Sequence, residues 1–274
     1  MITVVTGASA GIGAAAAQAL VKAGHDVVIV ARSQAKLAAV ADRIAGATGR
    51  RPDLATADFS SFAEVTRLAA HLLERYERID VLANNAGVMS TKRRLTADGH
   101  ELMAQVNHWS PFLLTHLLLD RIVASGGRVI TTSSMAARSG RLDPDDLDRA
   151  HRRWMAWPQY ADTKQANMLF TVELARRGVN ATCFHPGIVR TGFAPDSRYM
   201  KALMLVPGVA QPPERAATTL VHLATTADGV NHSGRFFAKS ALAGTSRQMT
   251  DPGLASALWN AGLAVTGPPA ADRN

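Results

Sequence analysis

The sequence predicts one α/β domain, built on a doubly wound parallel sheet of about seven strands with helices on both faces. The chain has 274 residues, of which 47% are hydrophobic, which is enough for one substantial core. Short β-branched segments alternate with longer segments rich in Ala and Leu. The short segments are apolar throughout, as in strands that are buried on both faces of a parallel sheet. This alternation is typical of a doubly wound fold.

The same patterns place the elements in order. Strands are predicted at 2–6, 27–31, 54–57, 79–84, 127–132, 179–184 and 234–237. Helices are predicted at 12–23, 34–45, 61–76, 97–124, 158–177, 213–226 and 253–264. Gly24 and Gly178 follow helices as left-handed C-caps would. Pro111 is expected to break or kink the helix at 97–124 near Ser110.

A single domain is predicted over 1–266, followed by a disordered tail at 267–274. Two stretches are too long to be plain connections, since long loops in compact domains are usually lids or binding loops. The first is an insertion at 136–157. The second contains a candidate substrate lid at 192–212.

Composition excludes several classes of protein. No apolar run approaches the ~18 residues of a membrane span, and the N-terminus has no signal-peptide pattern, so a cytoplasmic protein without a membrane partner is expected. Cys183 is the single cysteine, which excludes a disulfide framework and Cys-based zinc sites. No His-x3-His pair occurs, so no metal site is predicted. The net charge is +8, but the 24 Arg and 6 Lys are scattered among acidic residues, so no nucleic-acid partner is predicted.

A glycine turn follows the first strand and opens the first helix. Gly7, Gly11 and Gly13 let the backbone approach a pyrophosphate closely, and the helix N-terminus offers free N–H groups to it. The position at the first strand–helix junction favours a dinucleotide site over a plain turn.

Arg32 suggests which dinucleotide is bound. The second strand ends without the acid that grips the ribose of NAD(H), and a guanidinium pairs well with the additional phosphate of NADP(H). NADP(H) is therefore predicted in preference to NAD(H). The alternative, a surface Arg after a strand, stays open.

Tyr160 and Lys164 are four residues apart in a predicted helix and share one face. A cation ~4 Å from a phenol at an effective dielectric of ~20 would lower its pKa by up to ~3 units. That would bring the phenol into the range of acid–base catalysis. A half-buried Tyr beside a surface Lys is the competing interpretation.

Further motifs follow in order along the chain. Asp58 comes after the third strand, Asn84-Asn85-Ala86-Gly87 ends the fourth, Asn107 lies in the next helix, and Ser133-Ser134 ends the fifth. The sixth strand leads into Pro186-Gly187-Ile188-Val189-Arg190-Thr191. Together with the glycine turn and the Tyr–Lys pair, these motifs resemble the short-chain dehydrogenase/reductase family over nearly the whole chain, which implies a Rossmann-like fold.

A closer resemblance is to the retinol-dehydrogenase-like branch. The segments that carry it include 107–115, 160–175, 233–237 and 258–259. Ser110 and Pro111 depart from that pattern, and the hydrophobic N-terminal anchor of microsomal members is not expected here. The insertion is typical of the branch.

The resemblance implies roles for four catalytic residues. Tyr160 would be the general acid or base, and Lys164 would lower its pKa and bind the nicotinamide ribose. Ser134 would hydrogen-bond the substrate oxygen. Ser133, the residue before it, is the alternative for this role. Asn107 would position a water in a proton relay.

The resemblance also implies a cofactor site in which Arg32 reads the additional phosphate and Asp58 the adenine ring. The expected cofactor-binding residues are Gly7, Ser9, Ala10, Gly11, Ile12, Gly13, Arg32, Asp58, Phe59, Asn85, Ala86, Gly87, Tyr160, Lys164, Pro186, Gly187, Val189 and Thr191.

The predicted function is hydride transfer between NADP(H) and a carbonyl or alcohol group of an apolar small molecule. A C=C reductase of the same family and a catalytically inactive NADP(H)-binding sensor are the alternatives. Relatives are often dimers or tetramers, so a homodimer or homotetramer is a further expectation.

Overall fold

The computed structural model describes residues 1–189 and 210–267. Thr191, most of the candidate lid at 192–212 and nearly all of the tail lie outside the described residues.

Eight strands form one sheet in the order β3-β2-β1-β4-β5-β6-β7-β8. They are β1 (Ile2–Thr6), β2 (Asp26–Ala31), β3 (Asp53–Thr56), β4 (Val81–Asn84), β5 (Arg128–Thr132), β6 (Asn180–His185), β7 (Arg235–Ala238) and β8 (Ala241–Leu242). The first seven run parallel and correspond to the predicted strands. The two-residue β8 pairs antiparallel with β7 and was not predicted.

The helices cover both faces of the sheet. They are α1 (Gly11–Lys22), α2 (Gln34–Thr48), α3 (Phe62–Arg75), α4 (Leu102–Ala104), α5 (Ser110–Ala124), α6 (Ala156–Arg176), α7 (Pro213–Thr225), α8 (Asp228–Asn231) and α9 (Pro252–Thr266). One buried cluster joins the sheet to α3 and α5 through Leu68 and Phe112. A second joins the opposite face to α1, α2 and α7 through Ala16, Leu37 and Leu220. The predicted α/β class is confirmed.

The helix predicted at 97–124 differs from the prediction. It begins at Leu102, because the Glu101 carboxylate accepts hydrogen bonds from the Met103 and Ala104 backbone N–H groups and caps it. Pro111 does not end the helix. It lies in the first turn of α5, directly after a π-helix at Gln105–Trp109. The irregularity expected near Ser110 is therefore a widened helical turn and not a break.

The C-terminal helix α9 packs on α5 and α6. The Trp259 ring lies edge-on to the Phe112 ring at 5.1 Å and stacks on the Phe170 ring at 6.0 Å, and the Arg177 guanidinium lies 4.2 Å from its centroid. Gly262 allows close approach, since a Cβ there would be 2.7 Å from the Phe112 ring. None of the helices within 1–189 and 210–267 has the length and hydrophobicity of a membrane span.

Candidate active site

The residues of the candidate site meet at the carboxyl edge of the sheet, where β1, β4, β5 and β6 end. The strand order reverses between β1 and β4, because β2 and β3 lie on one side of β1 and the later strands on the other. In open α/β sheets, ligands bind at such a switch point.

The glycine turn after β1 depends on the absence of side chains. Gly7 and Gly11 have φ of +68° and +57°, a region that L residues with a side chain rarely adopt. A Cβ on Gly13 would lie 2.5 Å from the Gly7 carbonyl oxygen, and one on Gly7 would lie 2.8 Å from Ala86 Cα. The turn therefore packs directly against the end of β4.

The N-terminus of α1 has no side-chain cap. Ala10 at the N-cap provides no hydrogen-bonding side chain, and Ser9, Ala10, Gly11 and Ile12 are at least partly exposed. Backbone N–H groups at such a helix start are suited to bind an anion. The turn and the uncapped helix together fit the pyrophosphate of a dinucleotide.

Thr6 ties the glycine turn to the end of β4, and sequence reasoning gave it no role beyond its place in the turn motif. Its hydroxyl oxygen accepts hydrogen bonds from the Asn85 and Ala86 backbone N–H groups at 2.9 and 3.0 Å. The Asn85 amide donates to the Thr6 carbonyl at 3.0 Å. The only sequence signal was a threonine directly before the first glycine.

Arg32 and Asp58 meet at the ends of β2 and β3. The Arg32 guanidinium lies 3.8 Å from the Asp58 carboxylate, and the Arg32 side chain is 71% exposed. The other Asp58 oxygen accepts hydrogen bonds from Ser60. Phe59 is buried, and its carbonyl accepts a hydrogen bond from the Ser110 hydroxyl. The predicted adenosine-side residues therefore form one group.

The segment after β6 approaches the site from the other side. Gly187 has a φ of +85°, and Val189 pairs with Gln211 across an isolated bridge. The Gln211 side chain donates a hydrogen bond to the Pro186 carbonyl.

The two serines that end β5 have different environments. The Ser133 hydroxyl is buried and donates to the Lys164 backbone carbonyl at 2.6 Å. Ser134 is partly exposed and lies near enough to the Tyr160 phenol to lower its pKa. Its hydroxyl oxygen also accepts a hydrogen bond from the Ala136 N–H at 3.1 Å. Ser134 is therefore the serine beside the phenol.

Burial raises the pKa of Tyr160 to about 12, and the hydrogen bond with Ser134 opposes this shift. The sequence argument expected the opposite direction. That expectation was wrong because it weighed only the neighbouring charge and took no account of desolvation. The Lys164 ammonium nitrogen is 5.6 Å from the centroid of the phenol ring.

Lys164 is itself buried, and burial lowers its pKa to about 8. Its ammonium group donates to the Thr132 carbonyl at 3.1 Å. A Cβ on Gly87 would lie 3.6 Å from the Lys164 nitrogen and 3.3 Å from the Asn107 amide oxygen. The glycine therefore keeps open the space between these two side chains.

Asn107 lies in the π-helix, and its amide is engaged at both ends. The oxygen accepts from the Val88 N–H at 2.7 Å, and the nitrogen donates to the Val88 carbonyl and to the Thr163 hydroxyl. The Thr163 hydroxyl in turn donates to the Tyr160 carbonyl at 2.8 Å. Asn107 thus fixes the loop after β4 against α6.

His185 ends β6, and burial lowers its pKa to about 4, so its ring is neutral. Its Nδ1 accepts a hydrogen bond from the Met135 N–H at 3.3 Å, which holds the peptide after Ser134. This contact gives His185 a structural role. No group of three or more metal-ligating side chains occurs within the described ranges.

Comparison with known proteins gives a consistent result. The family model for short chain dehydrogenases matches residues 1–202. A protein of Streptomyces sp. (strain C5), which carries the name daunorubicin C-13 ketoreductase as a proposed assignment, is 40% identical over 96% of this chain and 91% of its own length. Human retinol dehydrogenase 13 is 34% identical over 93% of this chain and 81% of its own.

Among solved structures, an alcohol dehydrogenase from the archaeon Thermococcus sibiricus, in complex with 5-hydroxy-NADP, superimposes with a TM-score of 0.64. It is 25% identical and covers 82% of this chain and 90% of its own. The family model covers well over half of the chain, and the relatives match it over nearly its whole length. It belongs to the short-chain dehydrogenase/reductase family of oxidoreductases, in the retinol-dehydrogenase-like branch.

Proposed function

We propose that this protein is an NADP(H)-dependent oxidoreductase that interconverts a carbonyl and an alcohol group on an apolar small molecule. The observation that carries the proposal is that Ser134, Tyr160 and Lys164 converge at the sheet edge where the glycine turn opens. Ser134 is near enough to the phenol to lower its pKa, and the Lys164 ammonium nitrogen lies 5.6 Å from the centroid of the phenol ring. The names of the relatives include a ketoreductase and a retinol dehydrogenase, and both names refer to the interconversion of a carbonyl and an alcohol group.

A phenol with a pKa of about 12 is protonated at neutral pH and is therefore ready to act as an acid. A bound nicotinamide dinucleotide supplies or accepts the hydride at the carbonyl carbon. In the direction of reduction, Tyr160 donates its proton to the carbonyl oxygen, and the Ser134 hydroxyl donates a hydrogen bond to the same oxygen. The Lys164 ammonium stabilises the negative charge that develops there and on the phenol.

Arg32 supports NADP(H). Its guanidinium group is largely exposed at the end of β2, where this chain has Arg32 and not the Asp or Glu that would bind the ribose of NAD(H). The Asp58 carboxylate 3.8 Å away can hold the guanidinium beside the adenosine end of the cofactor. The complex of the archaeal relative with an NADP derivative points the same way.

An apolar substrate is supported by the start of α6. Met155 and Trp157 are 49% and 52% exposed, so two large apolar side chains lie at the surface two residues apart in sequence. The Trp157 ring centroid lies 6.0 Å from that of Tyr160. An apolar surface therefore borders the proposed proton donor.

The proposal is tested by measuring NADPH oxidation with a panel of ketones and aldehydes. Tyr160→Phe removes the proton donor and should lower kcat by at least about a hundredfold. Tyr76→Phe is the matched control, because the Tyr76 hydroxyl bonds Asp53 at the amino edge of the sheet. Turnover in Tyr160→Phe equal to that of the control would refute the assignment.

Cofactor preference is tested with Arg32→Ala. The variant should lose about tenfold or more in affinity for NADPH and little for NADH, because only NADPH carries the additional phosphate. Arg50→Ala is the control, since Arg50 pairs with Asp26 at the opposite edge of the sheet. A wild-type protein that binds NADH as tightly as NADPH would contradict the proposal.

A further inference from the structure

The Thr132 carbonyl at the end of β5 accepts two hydrogen bonds. One comes from the Lys164 ammonium group and the other from the Asn167 amide, each at 3.1 Å. Asn167 is buried and lies three residues after Lys164 in α6. One acceptor oxygen therefore fixes the ammonium group and the amide relative to each other.

The Thr132 carbonyl sets the orientation of the Asn167 amide, and His108 contacts the other end of that amide. The Thr132 carbonyl can only accept, so the amide nitrogen of Asn167 faces it and the amide oxygen faces His108 Nδ1 at 3.2 Å. Nδ1 must then carry the proton. Burial lowers the pKa of His108 to about 4, which keeps the ring neutral and consistent with this tautomer. Its Nε2 has no hydrogen-bond partner among the described residues, so Nδ1 is the ring nitrogen through which His108 bonds to the site.

This chain of contacts joins three parts of the site. His108 follows Asn107 in the π-helix, Thr132 precedes Ser133 and Ser134, and Asn167 shares α6 with Tyr160 and Lys164. We propose that His108 and Asn167 are positioning residues, which hold the Lys164 ammonium group in place through the shared Thr132 carbonyl. The expected effect on turnover rests on the proposed function, whereas the expected effect on Lys164 does not.

Simple packing is the competing explanation for His108. Its ring centroid lies 4.8 Å from that of Trp109, 5.9 Å from that of Phe170 and 6.4 Å from that of Phe112. Two substitutions separate the explanations. His108→Asn keeps an N–H near the position of Nδ1 but loses the ring, and His108→Phe keeps a ring but loses the donor.

The first readout is turnover. His108→Phe and Asn167→Leu should lower kcat for carbonyl reduction about tenfold, with little change in the KM for NADPH, because a small displacement of a catalytic group is costly. His108→Asn should retain most of the wild-type kcat. The double variant with His108→Phe and Asn167→Leu should have the same kcat as Asn167→Leu alone, since both changes break the same contact.

The second readout needs no substrate. The chain has six lysines, so side-chain NMR of ¹³C-labelled lysine can follow the titration of Lys164, with Lys164→Met identifying its signal. The pKa values of His108, Tyr160 and Cys183 are about 4, 12 and 12, so these neighbours do not titrate near pH 8. Loss of the amide N–H dipole beside the ammonium should raise the pKa of Lys164 by about half a unit or more in Asn167→Leu. The same direction is expected in His108→Phe, because the Asn167 amide then loses the donor that holds it in this orientation.

His25→Phe is the control, because His25 is a second buried histidine whose Nδ1 contacts a side chain, Thr3, at the far edge of the sheet. It should change stability without moving the pKa of Lys164. Folded His108→Phe and Asn167→Leu proteins with an unchanged Lys164 pKa would overturn the proposal, as would a His108→Asn protein as impaired as His108→Phe. If these pKa shifts occur but the wild type reduces no carbonyl, the positioning role stands and the proposed function fails.

Discussion

At the end of β1 the candidate site is made of backbone, whereas at the end of β5 it is made of side chains. The glycine turn works because Gly7, Gly11 and Gly13 leave room for close approach, and α1 then presents uncapped N–H groups. The cluster of Ser134, Tyr160 and Lys164 depends on hydrogen bonds and burial supplied by several other elements.

Because of this difference, we expect the two regions to respond differently to substitution and to pH. A backbone cradle is disrupted by steric change and has no group that titrates. A buried side-chain cluster is sensitive to the loss of one polar atom and to pH.

Ser134→Ala should have a large effect, next to that of removing the Tyr160 hydroxyl. Loss of one hydrogen-bond donor to a developing oxyanion costs about 10²–10³ in kcat. Ser133→Ala is the matched control, because that hydroxyl bonds the Lys164 backbone carbonyl away from the phenol. It should lower stability by about 1 kcal/mol and change kcat little. Steady-state kinetics and thermal unfolding check both, and the reverse pattern would assign the role to Ser133.

Gly13→Ala should abolish the backbone cradle without touching the catalytic side chains. The new Cβ would lie 2.5 Å from the Gly7 carbonyl oxygen, so the turn must shift, and dinucleotide affinity should fall about a hundredfold. Gly46→Ala in α2 is the control, since its Cβ would meet nothing within 4 Å. That variant should gain about 0.5–1 kcal/mol of stability. Calorimetric titration with NADPH measures the affinity. Tight binding by Gly13→Ala would contradict the inference that the turn needs a residue without a side chain at this position.

The pH dependence should come from the side-chain cluster alone. The pKa of Lys164 is lowered to about 8, so its positive charge is present below that pH and lost above it. The kcat/KM for reduction should therefore fall up to about tenfold per pH unit above 8, while Tyr160 stays protonated. Affinity for the dinucleotide at the glycine turn should change less. A reduction rate that stays flat to pH 10 would show that the ammonium charge is not needed.

Glu101 should give the smallest effect, on stability. Burial raises its pKa to about 7, and a nearby Asp148 acts in the same direction, while hydrogen bonds from Met103 and Ala104 oppose it. Because the folded pKa lies above the unfolded one, its favourable contribution is present below about pH 4.5 and is lost as the pH rises through 7.

Glu101→Gln keeps an acceptor for the helix cap without the charge. It should be more stable than the wild type by up to about 3 kcal/mol at pH 8 and similar to it at pH 5. Thermal unfolding across this pH range measures the difference. Equal stability of Glu101→Gln and the wild type at pH 8 would contradict the inference that burial destabilises the ionised Glu101 carboxylate.

Much of the fold could be predicted because its signals are local. Seven strands were placed correctly to within a few residues, since each is a short apolar run between turn residues. The start of α4 at Leu102 and the π-helix were not predictable, because they depend on Glu101 capping a helix and on contacts with α6. The choice between Ser133 and Ser134 likewise needed the position of Tyr160.

The sequence by itself determined the family, the parallel sheet and the glycine turn, because backbone freedom and apolar periodicity are properties of the residues themselves. Only the tertiary structure decided how Tyr160 and Lys164 are charged and held. Their pKa values follow from desolvation, and their positions follow from Ser134, Thr132 and Asn167. These partners come from β5, the segment after it and a later turn of α6, and their contacts exist only once the chain has packed.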